Sequence, residues 1–228
     1  MTVHDPSIAQ HSRSDYLSVH PDMRLQAGAR RLADDRVKRL LDIAGAGIGL
    51  AVLSPLLLLI AIIIQVESRG FPVFRQRRSG LEGRTFVIYK FRSMRVCEDG
   101  DEIRQASRVD ARITRFGSFM RRTSMDELPQ LLNILKGDMS IVGPRPHALA
   151  HDALYGPLVP DYDSRFLAKP GLTGLAQVSG LRGRTDNVRD MAARVAKDLE
   201  YIERWSVWLD IQIILRTALI FAFHPRAY

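Results

Sequence analysis

Cysteine is nearly absent: Cys97 is the only one in 228 residues. That excludes an internal disulfide framework, and with it a zinc site built from cysteines. The six histidines are scattered, with no metal-ligand spacing among them. Aromatic residues make up 7% of the chain, and no nucleic-acid reading motif interleaves them with its basic residues, so nucleic acid has only charge in its favour as a partner. No internal repeat or low-complexity block occurs. Residues 1–36 lack the apolar stretch of a signal peptide, because the first long apolar run begins only after Asp42.

Acidic residues are outnumbered, 25 against 33 Lys and Arg, for a formal charge of +8. This balance predicts attraction to phosphate, whether on a nucleotide, an anionic lipid or a nucleic acid. Segment 69–122 alone carries 14 Lys/Arg and 6 Asp/Glu, a balance of +8 equal to that of the whole chain. With 46% hydrophobic residues there is enough apolar side chain to fill the core of one ordinary domain.

Three stretches follow one another. Residues 1–36, poor in bulky apolar side chains, read as a polar, mobile tail. Residues 37–67 open with the basic, amphipathic VKRLL and continue into IAGAGIGLAVLSPLLLLIAIIIQV (43–66), 24 positions without a charge. A bilayer core needs only about 20 such residues, so this run is expected to enter a membrane. Ser54-Pro55 stands near its middle, where proline should kink or break a helix. Arginines and lysines flank both ends: Arg30, Arg31, Arg36, Lys38 and Arg39 before, Arg69, Arg75, Arg77 and Arg78 after. A re-entrant helix-break-helix hairpin keeps both clusters on the cytoplasmic side, whereas an ordinary span, the open alternative, would put one outside.

Residues 68–228 read as a cytoplasmic domain. PVFRQRRSGLEGRTFVIYKFRSM (72–94) predicts a small β-hairpin, in which alternation places Lys90 on the face of Phe86 and Ile88. Residues 95–112 are charged and are expected to form an exposed loop with a short helix. LPQLLNILKG predicts a short helix closed at Gly137, and Gly143-Pro144-Arg145-Pro146 a rigid turn. The glycines of KPGLTGLAQVSGLRG suggest further turns, NVRDMAARVAKDLEYIERW an amphipathic helix, and SVWLDIQIILRTALIFAF an interfacial one. The expected fold class is therefore α+β, mainly helical: a monotopic membrane protein with a β-hairpin region and interfacial amphipathic helices.

The chemistry concentrates at TSMDELPQLLNIL (123–135). Ser124-Met125-Asp126-Glu127 matches the S-x-x-E capping box, a common feature that by itself says nothing of function. Pro129 would then be the fifth helical residue and cost an interior hydrogen bond. With Asp126 as N-cap it falls third, where none is lost. That register sets the Asp126 carboxylate at a helix N-terminus, where phosphate groups gather. A carboxylate can also attack phosphorus to form an acyl-phosphate, provided that cations offset the charge. Lys90, Arg121, Arg122 and Arg145 are the candidate cations, and a divalent metal held by oxygen ligands is the usual companion.

Four motifs in order, SPLLLL, FRQRRSGLEGRTFVIYKFRSM, RRTSMDELPQLLNILKGDMSIVGPRP and KPGLTGLAQVSG, resemble those of the bacterial sugar transferases. These are monotopic phosphoglycosyl transferases that begin exopolysaccharide and glycan assembly. The resemblance runs from about residue 37 to 223. It implies a catalytic domain that transfers hexose 1-phosphate, of the galactose or glucose type, from a UDP-hexose to undecaprenyl phosphate, with release of UMP. It places this domain on the cytoplasmic face of the bacterial inner membrane, anchored among membrane lipids by a re-entrant hairpin broken at Ser54-Pro55. By the same resemblance Asp126 is the nucleophile and touches Mg²⁺, while Glu127 positions or activates it. Lys90, Arg121 and Arg145 then bind phosphate or nucleotide. The alternative is a non-enzymatic membrane adaptor whose basic face binds anionic lipids and whose acidic pair only caps a helix.

Overall fold

The computed structural model describes residues 23–95, 110–183, 185 and 187–223. Cys97 and most of the charged loop expected at 95–112 lie outside the described residues, as do residues 1–22 of the expected tail. Helix α1 (Met23–Asp34) leads into α2 (Arg36–Glu67), and the strands β1 (Val73–Ser79) and β2 (Thr85–Phe91) follow. Helix α3 (Arg115–Thr123) passes through a 3-10 turn, Met125–Gln130, into α4 (Leu131–Lys136), β3 (Ser140–Val142) and α5 (Leu149–Tyr155). A further 3-10 turn, Tyr162–Leu167, precedes β4 (Gly171–Thr173), α6 (Leu175–Val178), α7 (Val188–Arg204) and α8 (Val207–Phe223). The chain is thus mainly helical, with two small two-stranded sheets among the described residues.

The apolar run forms the body of α2. Asp35 caps it, its side chain accepting from the Lys38 backbone N–H at 2.7 Å. No break separates two helices: α2 continues through Pro55, and the Ser54 hydroxyl donates to the Ala51 carbonyl at 2.8 Å. An interior proline costs about 3 kcal/mol. Packing on both sides of it offsets that cost. Ahead of Pro55, Ala46, Leu50 and Leu53 join a cluster with Ile88, Leu131, Ile134 and Met139. Beyond it, Leu56, Leu57, Ile60 and Ile64 pack with Phe91 and Met120. One stripe of α2 therefore lies on the rest of the molecule along most of its length, and the other side exposes Ile48, Val52, Leu58, Leu59 and Ile62.

The β1–β2 hairpin forms as its alternation predicts, antiparallel from Val73↔Phe91 to Ser79↔Thr85. Strands β3 and β4 pair in parallel, Ser140↔Gly171 and Val142↔Thr173, where the sequence suggested only turns. Three-residue strands carry too little alternation to announce themselves. Gly171 is required there, because a Cβ would stand 2.1 Å from the Gly143 nitrogen.

The polar stretch expected to be a tail is, over Met23–Asp34, the helix α1. Leu25, Gly28 and Ala29 bury one of its faces, and Gly28 lets it approach the backbone of α7 at Ile202. Asn187 caps α7 by accepting from the Asp190 N–H at 2.9 Å. Helix α8 is fastened at its start by the buried Asp210. That carboxylate accepts from Lys38 Nζ at 2.6 Å, the Tyr201 hydroxyl at 2.8 Å and the Trp205 indole at 3.3 Å.

Candidate active site

Ser124 decides how the acidic pair is presented. Its backbone is left-handed (φ 56°), and its N–H closes α3 by donating to the carbonyls of Met120 and Arg121. Its own carbonyl accepts from the Glu127 N–H at 3.1 Å and opens the 3-10 turn. A non-glycine residue in this conformation costs about 1 to 2 kcal/mol. The register with Ser124 at the N-cap is the one adopted, as a 3-10 turn with Pro129 fifth, and the register favoured from the sequence, with Asp126 as N-cap, is not. Ser124 holds the N-cap position without a side-chain cap bond, and Asp126 is the second residue of the turn rather than its cap. The capping box fails because charged donors claim its members. Lys90 and Arg145 hold the Glu127 carboxylate, and the Arg182 guanidinium donates to the Ser124 hydroxyl.

Lys90 reaches Glu127 from β2, its Nζ 2.9 Å from Oε1. Arg145, in the Gly-Pro-Arg-Pro turn, grips both carboxylate oxygens, at 2.6 Å and 3.2 Å. Such a two-pronged contact fixes orientation as well as charge. Each cation is supported from behind. Asn133 of α4 bonds the backbone of β2 on either side of Ile88, accepting from the Tyr89 N–H at 3.0 Å and donating to the Val87 carbonyl at 2.7 Å. This joins the strand that carries Lys90 to the helix that follows the acidic pair. The Arg145 carbonyl accepts from Arg165, itself paired with the buried Asp198 at 2.9 Å, and Arg78 donates to the Pro146 carbonyl at 3.2 Å.

The two neighbouring acids differ sharply. Burial alone would raise the Glu127 pKa, but Arg145 and Lys90 outweigh it and hold the carboxyl well below the ordinary range. For Asp126, burial and the adjacent Glu127 charge push the pKa up to about 6. No hydrogen-bond donor to the Asp126 carboxylate is found among the described residues, while Lys90, Arg121 and Arg145 act on it through space. The Lys90 ammonium is itself pushed down by burial, against the opposing pull of Glu127. The pair thus joins a fixed anion to a carboxylate whose oxygens are not held. Environments that drive two acids apart in this way are how protein sites divide labour between them.

No group of three or more His, Cys, Asp or Glu that could hold a metal exists among the described residues. A single open carboxylate nevertheless suits Mg²⁺, which keeps several waters and binds through one or two carboxylates together with substrate phosphates. Asp126 is the residue that could supply such a ligand.

The structure brings Lys90, Asp126, Glu127 and Arg145 together. Arg121 stands one turn earlier, at the end of α3, its guanidinium 3.6 Å from the Met94 sulfur. Ser54 and Pro55 are exposed on α2. Asn133 and Arg182 were missed by sequence reasoning, and Ser124 was read only as a capping-box residue, since their contacts depend on partners far along the chain. Beside Ser124 and Glu127 lies a cavity of about 370 Å³, bounded by β4, α6 and α8 as well as the 3-10 turn.

A family model described as bacterial sugar transferase matches residues 33–224. Among curated proteins, the UDP-glucose:undecaprenyl-phosphate glucose-1-phosphate transferase of Caulobacter vibrioides is 54% identical over 187 residues, 82% of this chain and 70% of that protein. The proteins of the same name from Xanthomonas campestris pv. campestris and Escherichia coli are 54% and 45% identical, over 84% and 96% of this chain. The chain spans 40% and 47% of the length of those two relatives.

Proposed function

The chain belongs to the bacterial sugar transferase family, and from that premise we propose that this phosphoglycosyl transferase moves glucose 1-phosphate from UDP-glucose to undecaprenyl phosphate. The unequal acidic pair is the observation that carries the reading: Glu127 is locked between Lys90 and Arg145, while Asp126 beside it is held by no donor among the described residues. Glucose is preferred to galactose because the proteins named above act on UDP-glucose by name.

In the first half-reaction an Asp126 carboxylate oxygen attacks the phosphorus that bears the sugar. The bond from that phosphorus to the bridging oxygen breaks, UMP departs with the electron pair, and a glucosyl phosphate remains on the aspartyl oxygen. In the second, a phosphate oxygen of the lipid attacks the same phosphorus and the aspartyl oxygen leaves, restoring the carboxylate. Asp126 must be ionised to attack, so the rate rises as pH passes through about 6. Lys90 uses one of its three N–H donors on Glu127 and offers charge to the diphosphate, as does Arg145, with Arg121 behind them. Glu127 serves as the fixed counter-charge that keeps both cations in place. Asp126 would hold Mg²⁺, which when bound would supply neutralisation of the leaving group's charge.

The site is proposed to stand at the cytoplasmic face of the inner membrane. What supports a monotopic placement is that one stripe of the continuous helix α2 packs on the rest of the molecule both before and beyond Pro55. Tags at residues 1 and 228 should both be reached from the cytoplasm; tags on opposite faces would require an ordinary span instead. The function is tested by incubating the purified protein with Mg²⁺, UDP-glucose and undecaprenyl phosphate. UMP release and a hexose-phosphate adduct on Asp126 by mass spectrometry are expected, whereas release of UDP would mean transfer of the sugar without its phosphate.

A further inference from the structure

The cavity beside the acidic pair differs in character from the cationic side of the site. Leu128, Ile141, Leu172, Val178, Ile214 and Ala218 supply much of its lining. Thr173 and Thr217 also face it, but their hydroxyls bond each other at 2.7 Å, and Thr217 bonds the Ile213 carbonyl at 2.7 Å. Both hydroxyl hydrogens are therefore used within the protein. Gln177 also lines the cavity, its Oε1 buried without a partner among the described residues, but that acceptor could replace few of the hydrogen bonds that uracil, ribose or hexose makes with water, so placing them there is costly. A hydrocarbon loses nothing there.

Position adds to composition. Ser124, Glu127 and Arg182 also line the cavity, so it abuts the residues flanking Asp126. Lys90 and Arg145, the cations that grip Glu127, come from β2 and the Gly-Pro-Arg-Pro turn and do not line it. Ile214 and Ala218 are exposed on α8, and Trp208, Ile211, Leu215 and Leu219 continue an apolar surface along that helix. A chain lying in lipid could enter here without crossing water.

We propose that this cavity seats the first isoprene units of the polyprenyl phosphate acceptor, with the Arg182 guanidinium reading its phosphate. The nucleotide sugar then approaches Asp126 from the Lys90 and Arg145 side. A polyprenyl phosphate carries its phosphate directly on one hydrocarbon chain, so the chain can fill the cavity while the phosphate stands at the acidic pair. A diacyl phospholipid would have to bring a second chain and two ester groups into the same apolar space. The assignment rests on the acceptor proposed above and adds the place where it binds.

Ala218→Phe narrows the cavity from an exposed position of α8, and Arg182→Gln removes the phosphate reader. Each should raise the KM for undecaprenyl phosphate by about tenfold or more. Exchange of label between UMP and UDP-glucose, measured without acceptor, should stay within about twofold of wild type in Ala218→Phe. That exchange arm reports folding and the first half-reaction, so its absence in the wild type would count against the proposed function and not against the cavity. An unchanged acceptor KM in Ala218→Phe, or equal losses in both arms, would overturn the cavity assignment. A second readout needs no turnover: a farnesyl phosphate bearing a diazirine in its chain, irradiated with the full-length protein in phosphatidylcholine vesicles. Adducts at Leu172, Val178 or residues 214–220, displaced by undecaprenyl phosphate and not by phosphatidic acid, are expected. Adducts confined to other elements, or equal displacement by phosphatidic acid, would assign the cavity to bulk lipid or to nothing.

Discussion

Two aspartates, the buried Asp210 and the half-buried Asp126, stand in opposite surroundings. Asp210 accepts from an ammonium, a phenol and an indole, and its ion pair with Lys38 leaves each side chain 9% exposed. Asp126 has a cation-rich neighbourhood and no donor among the described residues, because Glu127 takes the contacts of Lys90 and Arg145. Saturation makes Asp210 a fastening between α2, α7 and α8. The unfilled bonding capacity of Asp126 leaves it able to form a new bond. Under the proposed function, it is the inventory of donors that separates the fastening acid from the reactive one.

The sharpest test of that contrast is Asp126→Asn. It should reduce transfer by at least about 10³-fold and abolish the adduct, with the melting temperature scarcely moved, because no hydrogen bond is lost. An adaptor that used the acidic pair only as a cap would keep its membrane function in this variant. Asp210→Asn should do the reverse. Leaving Lys38 buried without its counter-charge should cost about 3 to 5 kcal/mol in denaturant unfolding, with turnover per folded molecule retained. Loss of turnover without loss of stability there would erase the distinction.

Glu127→Gln comes next, with a fall of about 10²-fold in kcat/KM. Its more telling effect is on pH. Glu127 helps to raise the Asp126 pKa, and removing its charge also leaves Lys90 and Arg145 to act on Asp126 alone. Both changes favour the ionised aspartate, so the acid limb of the pH profile should move below about 6; a limb moving upward would mean that the charges do not couple as described. The smallest effect is expected at Glu200, which pairs with Lys197 and Arg204 on the outside of α7. Glu200→Gln should alter stability by less than about 0.5 kcal/mol, with activity unchanged.

Short-range patterns were legible in the sequence where one residue's neighbours suffice. The β1–β2 hairpin follows from alternation, the end of α4 from Gly137 (φ 94°), and α7 from its apolar period. Lys90 stood out as a cation on an apolar strand face, and it does meet the acidic pair. Long-range pairings were not legible. Helix α1 buries a stripe of Leu, Gly and Ala that gains meaning only against Ile202, far along the chain. The parallel β3–β4 pair and the Asn133 clasp on β2 likewise need partners that no local window contains. The Asp126 N-cap register misled because it weighed only the local cost of Pro129, whereas Ser124 opens the turn and Lys90 and Arg145 claim the Glu127 carboxylate from elsewhere in the fold.

The apolar helix α2 holds side chains in two of the protein's hydrophobic clusters, Ala46 in one and Ile60 with Ile64 in the other. It is consequently a beam of the building. Excising it to obtain a water-soluble fragment would unroof Ile88, Ile134, Phe91 and Met120 together. Under the proposed membrane placement, solubility has to come from a lipid substitute wrapped around the outer face of that helix.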